Sequence, residues 1–403
     1  MLPKIHKPDI PGRPIISGCD SPTEKLSIYI DYHLKPLVPL IPSYIRDTKH
    51  FLSHIFSLPT PLPPDTLLAT IDVTSLYTNI PHDEGIHASL VSLATHPDTT
   101  SRPPLHVFQQ LFTYILKHNY FSFNNEFYLQ QHGTAMGTRM APSYANLFMS
   151  HLESLLLEHP PGNLLPLVWK RYIDDIFILW THGSSTLQTF LNHINSFHPT
   201  IKFTYTTSPS SINFLDTRIH ITSQQTLESS LYTKPTDNSL LLHHTSHHPL
   251  SCKLGTIFSQ ALRYRRLITQ DEELHKQLNR LRLILLSRGY PNHTITSSFQ
   301  KVSTLTQHQL LAPSTTTTNT SPNPIIPYSI PYHPSITSLP NIIRSTWSLI
   351  SRDRELSSLF PKPPLVAYMR HKNLKDLLVH THFSTSPSNS THPSPPYVSL
   401  PPP

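Results

Sequence analysis

The clearest signals along the chain are the places where the spacing of apolar positions changes. Residues 67–73, "LLATIDV", form an apolar run ending in an acid, the pattern of a buried strand that carries Asp72 to its C-terminal edge. At 170–180, "KRYIDDIFILW", the apolar residues on either side of Asp174 and Asp175 predict two strands joined by a two-residue turn, with the acids at its tip. From Leu105 the spacing becomes helical, with Phe108, Leu111, Phe112, Ile115 and Leu116 on one face. "FSFNNEFYL" predicts a hairpin about Asn124-Asn125. Met140, Tyr144, Leu147, Phe148, Leu152, Leu155 and Leu156 then trace a long helix, with Pro142 in the first turn, where no backbone N–H is required.

Around this centre the patterns are shorter. A basic strand, a turn at Pro11-Gly12 and a second strand open the chain, and a helix is expected over 23–34. Further strands are expected at 201–206, 212–221 and 229–234. Over 253–288, Leu274, Leu278, Leu281 and Leu285 keep helical spacing among Arg and Lys, which predicts a small basic helical domain. Beyond Tyr290 a Ser/Thr/Pro-rich stretch reads as a linker to about 340. Some helical pattern returns over 341–383, and 384–403 loses it and is expected to be disordered. The order strand, helix, long helix, hairpin, strands implies an antiparallel sheet backed by helices, an α+β fold.

Composition narrows the class. The 403 residues suffice for two or three domains, yet only 14% are charged, and 42 prolines against 9 glycines leave the last third poorly suited to packing. A net charge of +7 with 28 histidines in reserve favours a polyanionic partner, nucleic acid first. Cys19 and Cys252 form neither a disulfide framework nor a zinc-ligand spacing, and no stretch approaches the roughly 18 apolar residues of a membrane span. The expectation is a soluble intracellular protein. His243, His244, His247 and His248 have helical spacing, but no Cys or nearby acid completes a zinc site among them.

Taken alone, Asp174-Asp175 fits an ordinary Asp-rich turn as well as it fits a chemical site. Asp72 alters that balance, because phosphoryl transfer to a growing strand needs two divalent cations close together, and hard carboxylate oxygens suit magnesium. Since adjacent strand residues point in opposite directions, Asp72 and Asp174 are expected to face the cations directly, with Asp175 nearer the rim.

"IDVTSLYTNIPHDEG", "QHGTAMGTRMAPSYANLFM" and "RYIDDIF", in that order and preceded by "PKIHK" and "GRPIIS", resemble a reverse transcriptase, most of all those of the Penelope-like retroelements, relatives of telomerase reverse transcriptase. The resemblance runs from residue 1 to about 383. It implies a right-hand polymerase: partial fingers at 1–66, palm at 67–250, thumb at 251–290, linker at 291–340 and a helical connector at 341–383. It also implies an RNA-directed DNA polymerase acting on an RNA template, a DNA primer and deoxynucleoside triphosphates, with two Mg2+ ions or Mn2+ in their place. Asp72, Asp174 and Asp175 match the catalytic carboxylates, and the carbonyl of Val73 would complete a metal site. Tyr77 would face the sugar 2′ carbon, Gly137 and Pro142 would line the nascent base pair, and Arg13 with Lys4 or Lys7 would grip the triphosphate. Gln131 stands before "HGTAMG", whereas the residue directly before Gly137 is Met136 where relatives carry Gln, so the role of Gln131 stays open. Lys234 would contact primer or triphosphate, and Arg263, Arg265 and Arg266 would track the duplex backbone. Asp216 in "FLD" is read as structural. The family's GIY-YIG endonuclease and the helices before "PKIHK" are absent from this sequence, so a truncated remnant that only binds RNA or RNA–DNA duplex is the alternative. By analogy, the site of action would be the nucleus.

Overall fold

The computed structural model describes residues 2–3, 12–13, 15–96, 102–123, 126–312 and 326–378. Lys4, Lys7, the turn at Asn124-Asn125 and the tail 384–403 lie outside the described residues, as does the side chain of Arg13. The chain forms two compact units that divide between Thr236 and Asp237.

The first unit is built on the two patterns with acids. Strand β1 (Leu67–Val73) lies between β3 (Asp175–Trp180) and β4 (Phe203–Ser208), and β2 (Val168–Tyr172) borders β3. Every pairing is antiparallel. One face of the two central strands, Ala69, Ile71 and Val73 with Ile176, Ile178 and Trp180, is buried in the main core. Against it pack α1 (Glu24–Leu34), α4 (Leu105–Lys117), α5 (Ala141–Glu158) and α6 (Ser184–Phe197) through Ile30, Phe108, Phe112, Phe148 and Phe190.

The opposite face carries Thr70 and Phe177 beside the acids. Helix α2 (Thr48–Ile55), capped by Asp47 accepting from the His50 N–H, sets Phe51 against Phe177 at 4.9 Å between ring centroids. Phe51 also meets Phe214 of a second antiparallel sheet, β5 (Ser211–Phe214), β6 (Thr217–Ile221) and β7 (Leu227–Leu231), at 4.6 Å. The expected strand over 212–221 is therefore two strands, because the chain turns at Leu215, whose φ is +54°. Helix α3 (His82–Ala94) packs tightly on α5: a Cβ on Gly85 would lie 2.0 Å from the Tyr144 hydroxyl. "FSFNNEFYL" forms its hairpin, Tyr120–Phe123 pairing with Glu126–Leu129.

In the second unit, α7 (Leu250–Leu267), α8 (Asp271–Ser287), α9 (Asn292–Ser303) and α10 (Gln307–Leu311) form a helical bundle with Ile257, Ala261, Leu281, Leu285 and Ile295 buried. The expected linker from 291 is thus helical at its start. Ile295, Phe299 and Val302 supply a buried face, and Thr306 with Gln309 forms a capping box for α10. Pro327–Pro331 pairs in parallel with Leu365–Met369, inside the stretches read from sequence as linker and helical connector. Their few charges and β-permissive residues allow the pairing despite the prolines. Among the described residues no helix is long and apolar enough to cross a membrane.

Candidate active site

Asp72 and Asp175 sit directly opposite one another on the two central strands, so both carboxylates stand on the same face of the sheet. Asp174 is not in a strand. The turn between β2 and β3 is Ile173-Asp174, one residue earlier than the apolar pattern predicts, and Tyr172 pairs with Asp175. Strand alternation therefore does not govern Asp174. Asp175 lies beside Asp72 rather than toward the rim, while Asp174 is a half-buried residue of the turn. The Val73 N–H donates to the Asp174 carbonyl at 3.0 Å, which fixes the tip against the end of β1. Ile173 has φ +56°, a left-handed conformation that β-branched residues avoid, so the turn is held under strain.

The electrostatics follow from this crowding. Burial, then the negative charges of Asp174 and Asp72, push the Asp175 carboxyl up to about 6, and Lys234 opposes the rise. Lys234 is exposed on the segment after β7, and its influence on Asp175 brings it into the same site. A recess of about 200 Å3 opens beside the acids, bordered by Asp72, Asp175, Thr204, Thr206, Asn213 and Leu215. Among the described residues no three His, Cys, Asp or Glu side chains form a ready-made metal cage. The donor set nonetheless fits a hard divalent cation that takes one or two carboxylates and completes its shell with water and substrate oxygens. Crowding of negative charge around Asp175 is what such a cation would relieve. Val73, the last residue of β1, adjoins them.

A larger cavity of about 490 Å3 brings together residues that lie far apart in sequence: Tyr77, Gly137 and Pro142 with Gly18, Asn119 and Tyr120. Tyr77 is half-buried just beyond β1, and its carbonyl accepts from the Thr134 N–H at 2.7 Å. Gly137 has φ +142°, and a Cβ there would lie 1.7 Å from the Ile16 carbonyl oxygen. Its lack of a side chain lets the backbone at Ile16 close on the segment before α5, through the Ile16 N–H donated to the Met136 carbonyl at 3.0 Å. Pro142 occupies the first turn of α5. Asn119 and Tyr120 are cavity residues that the sequence reading missed. Their position at the start of the aromatic hairpin was visible, but not the cavity on which that hairpin opens. Asp216 sits in the β5–β6 turn and accepts from the Thr48 hydroxyl.

Arg263, Arg265 and Arg266 of the second unit are half-buried. Arg265 donates to the Leu305 carbonyl at 2.8 Å and to Asp271 at 2.6 Å, joining α7 to α8 and to the α9–α10 loop. The Nε of Arg266 is buried.

Comparison with known proteins gives two family matches. "Reverse transcriptase (RNA-dependent DNA polymerase)" matches residues 5–212, just over half the chain, and "Animal helix-turn-helix domain" matches 240–300. No curated protein matches. Among solved structures, telomerase from Candida albicans in complex with a fragment of telomeric RNA is 11% identical, with a TM-score of 0.47, over 70% of this chain and 47% of that one. Apo telomerase from Candida tropicalis, truncated from its C-terminal domain, is 12% identical with a TM-score of 0.39, over 51% and 45%. The RNA-dependent RNA polymerase of a human picobirnavirus is 13% identical with a TM-score of 0.45, over 69% and 54%. The chain spans about half the length of the telomerase structures it matches.

Proposed function

The chain belongs to the reverse transcriptase family, RNA-dependent DNA polymerases, and from that premise we propose that it extends a DNA primer on an RNA template as the polymerase of a Penelope-like retroelement. The observation that carries the reading is Asp72 opposite Asp175 at the end of the two central strands, with Asp174 in the adjoining turn. Asp72, Asp174 and Asp175, with the Val73 carbonyl, would hold the cations. Held there, two divalent ions such as Mg2+ or Mn2+ would supply activation of the primer 3′ hydroxyl and stabilisation of the leaving pyrophosphate.

The remaining roles belong to the chain's own groups. The cavity between Tyr77, Gly137 and Pro142 receives the deoxynucleoside triphosphate, and the bulk of Tyr77 excludes a 2′ hydroxyl. Arg13, with Lys4 or Lys7, grips the phosphates through charge-assisted hydrogen bonds. Lys234 balances charge beside Asp175 and contacts primer or triphosphate. The helices of residues 251–290 act as thumb, where Arg263 and Arg266 serve the duplex backbone and Arg265 serves the bundle itself. Penelope-like identity is supported by the order and spacing of "PKIHK", "GRPIIS", "IDVTSLYTNIPHDEG", "GTAMGTRMAP" and "RYIDD", and a nuclear location is proposed by analogy with that family.

The test is extension of a DNA primer annealed to an RNA template, with magnesium or manganese, by this chain and by Asp174→Ala. Extension by the parent and none by the variant is expected. Folded parent that binds the duplex and never extends it would favour the binding-only alternative.

A further inference from the structure

A fully buried arginine stands two residues before the strained turn. Arg171 is 0% exposed on the edge strand β2, and its guanidinium is saturated. Its Nε donates to Glu153 Oε1 at 2.7 Å, and Nη1 donates to Asn146 Oδ1 at 2.8 Å and to the Ile173 carbonyl at 3.2 Å. Nη2 reaches the Asn146 carbonyl at 3.3 Å and Glu153 Oε2 at 3.4 Å. Glu153 also accepts from the Trp169 indole at 2.9 Å and from the Ser43 hydroxyl at 2.6 Å. The backbone of Arg171 is clamped as well, its N–H to the Ser43 carbonyl and its carbonyl to the Ile45 N–H, both at 2.7 Å.

Burying a charge pair is costly, and an apolar pair of similar volume would often serve stability as well or better. What an apolar pair cannot do is bond the Ile173 carbonyl. That carbonyl belongs to the residue with φ +56°, immediately before Asp174. Asn146 and Glu153 lie on α5, whose first turn lines the nucleotide cavity. One side chain therefore joins the helix that forms the cavity to the turn that carries an acid.

We propose that Arg171, held by Glu153 and Asn146, is a positioning residue that maintains the left-handed turn at Ile173 and thereby sets where Asp174 stands relative to the nucleotide cavity. The catalytic consequence rests on the polymerase reading; the mechanical one does not. Arg171→Lys keeps a positive charge for Glu153, but a single ammonium lacks the planar fork that reaches Glu153, Asn146 and the Ile173 carbonyl together.

Two readouts separate positioning from general support. The first is amide hydrogen exchange, in which the Val73 N–H, donated to the Asp174 carbonyl, reports the turn directly. In Arg171→Lys it is expected to exchange about tenfold faster while Ile178 and Leu179 stay protected, since local opening is separable from global unfolding. The second is kinetics: kcat falls roughly 10–100-fold, the scale on which orienting groups act, with nucleotide KM within about twofold and a melting temperature close to the parent's. Glu153→Gln, which keeps the side-chain length and an acceptor for Trp169, repeats the comparison if Arg171→Lys does not fold. Parental exchange at Val73, or loss of protection in all strands together, overturns the proposal. A parent that extends no primer would sink the polymerase reading and leave the exchange result to decide this one.

Discussion

Asp175 carries the electrostatic cost of standing half-buried beside two other acids. Its folded-state value of about 6 lies above the ordinary 3.8. The folded protein therefore holds this proton more tightly than the unfolded chain, and the contribution to stability falls as pH rises from about 4 to about 6. At 1.36 kcal/mol per pH unit the penalty at neutral pH is at most about 3 kcal/mol. Asp175→Asn is thus expected to be more stable than the parent at pH 7 by up to about that amount, and equally stable at pH 4. Urea unfolding at the two pH values measures this, and an equal difference at both would contradict the assignment. A second expectation concerns Gly137. Its positive φ and the Ile16 carbonyl leave no space for a side chain, so Gly137→Ala should cost about 1–3 kcal/mol and raise the KM for nucleotide, a shift that steady-state kinetics would detect.

Among the elements, α2 is one whose role the sequence concealed. It has eight residues, and its His and Lys blur the apolar periodicity. Its buried Phe51 nevertheless holds both sheets through Phe177 and Phe214. Phe51→Ala is expected to cost about 3–5 kcal/mol, with the recess beside Asp72 and Asp175 lost together with stability; a loss below 1 kcal/mol would show that the two sheets hold without it. By contrast, β1, the acidic hairpin, α4 and α5 were legible because long apolar runs and sustained helical spacing leave few alternatives. Helix α3 was not: Gly85, Ala88 and Ser89 are buried through close approach to a neighbouring helix rather than through apolar periodicity. The turn was misplaced by one residue because nothing in the apolar pattern reveals that Ile173 adopts φ +56°. Neither the burial of Arg171 nor its bond to that turn can be read from "KRYIDD", since burial of an arginine depends on Asn146 and Glu153 arriving from another helix.

At the scale of the whole molecule, net charge is the property that bears on the proposed reaction. The positive net charge should make binding to RNA–DNA duplex strongly dependent on salt. Arg265 offers a discriminating case, because its guanidinium is already committed to Asp271 and the Leu305 carbonyl. Arg265→Ala is expected to lower the melting temperature of the helical unit and leave the slope of log affinity against log salt unchanged. A slope lower by about 0.9 would instead assign it a phosphate contact. The proposed cooperation of Asp72 with the acidic turn across the paired strands is tested by the rate of a single nucleotide addition to a DNA primer on RNA, in the parent and in Asp72→Asn, with melting temperatures measured alongside. The account predicts a folded variant slower by on the order of 10³-fold or more, as for loss of a group that stabilises charge in the transition state; a folded Asp72→Asn that adds the nucleotide at the parental rate would contradict it.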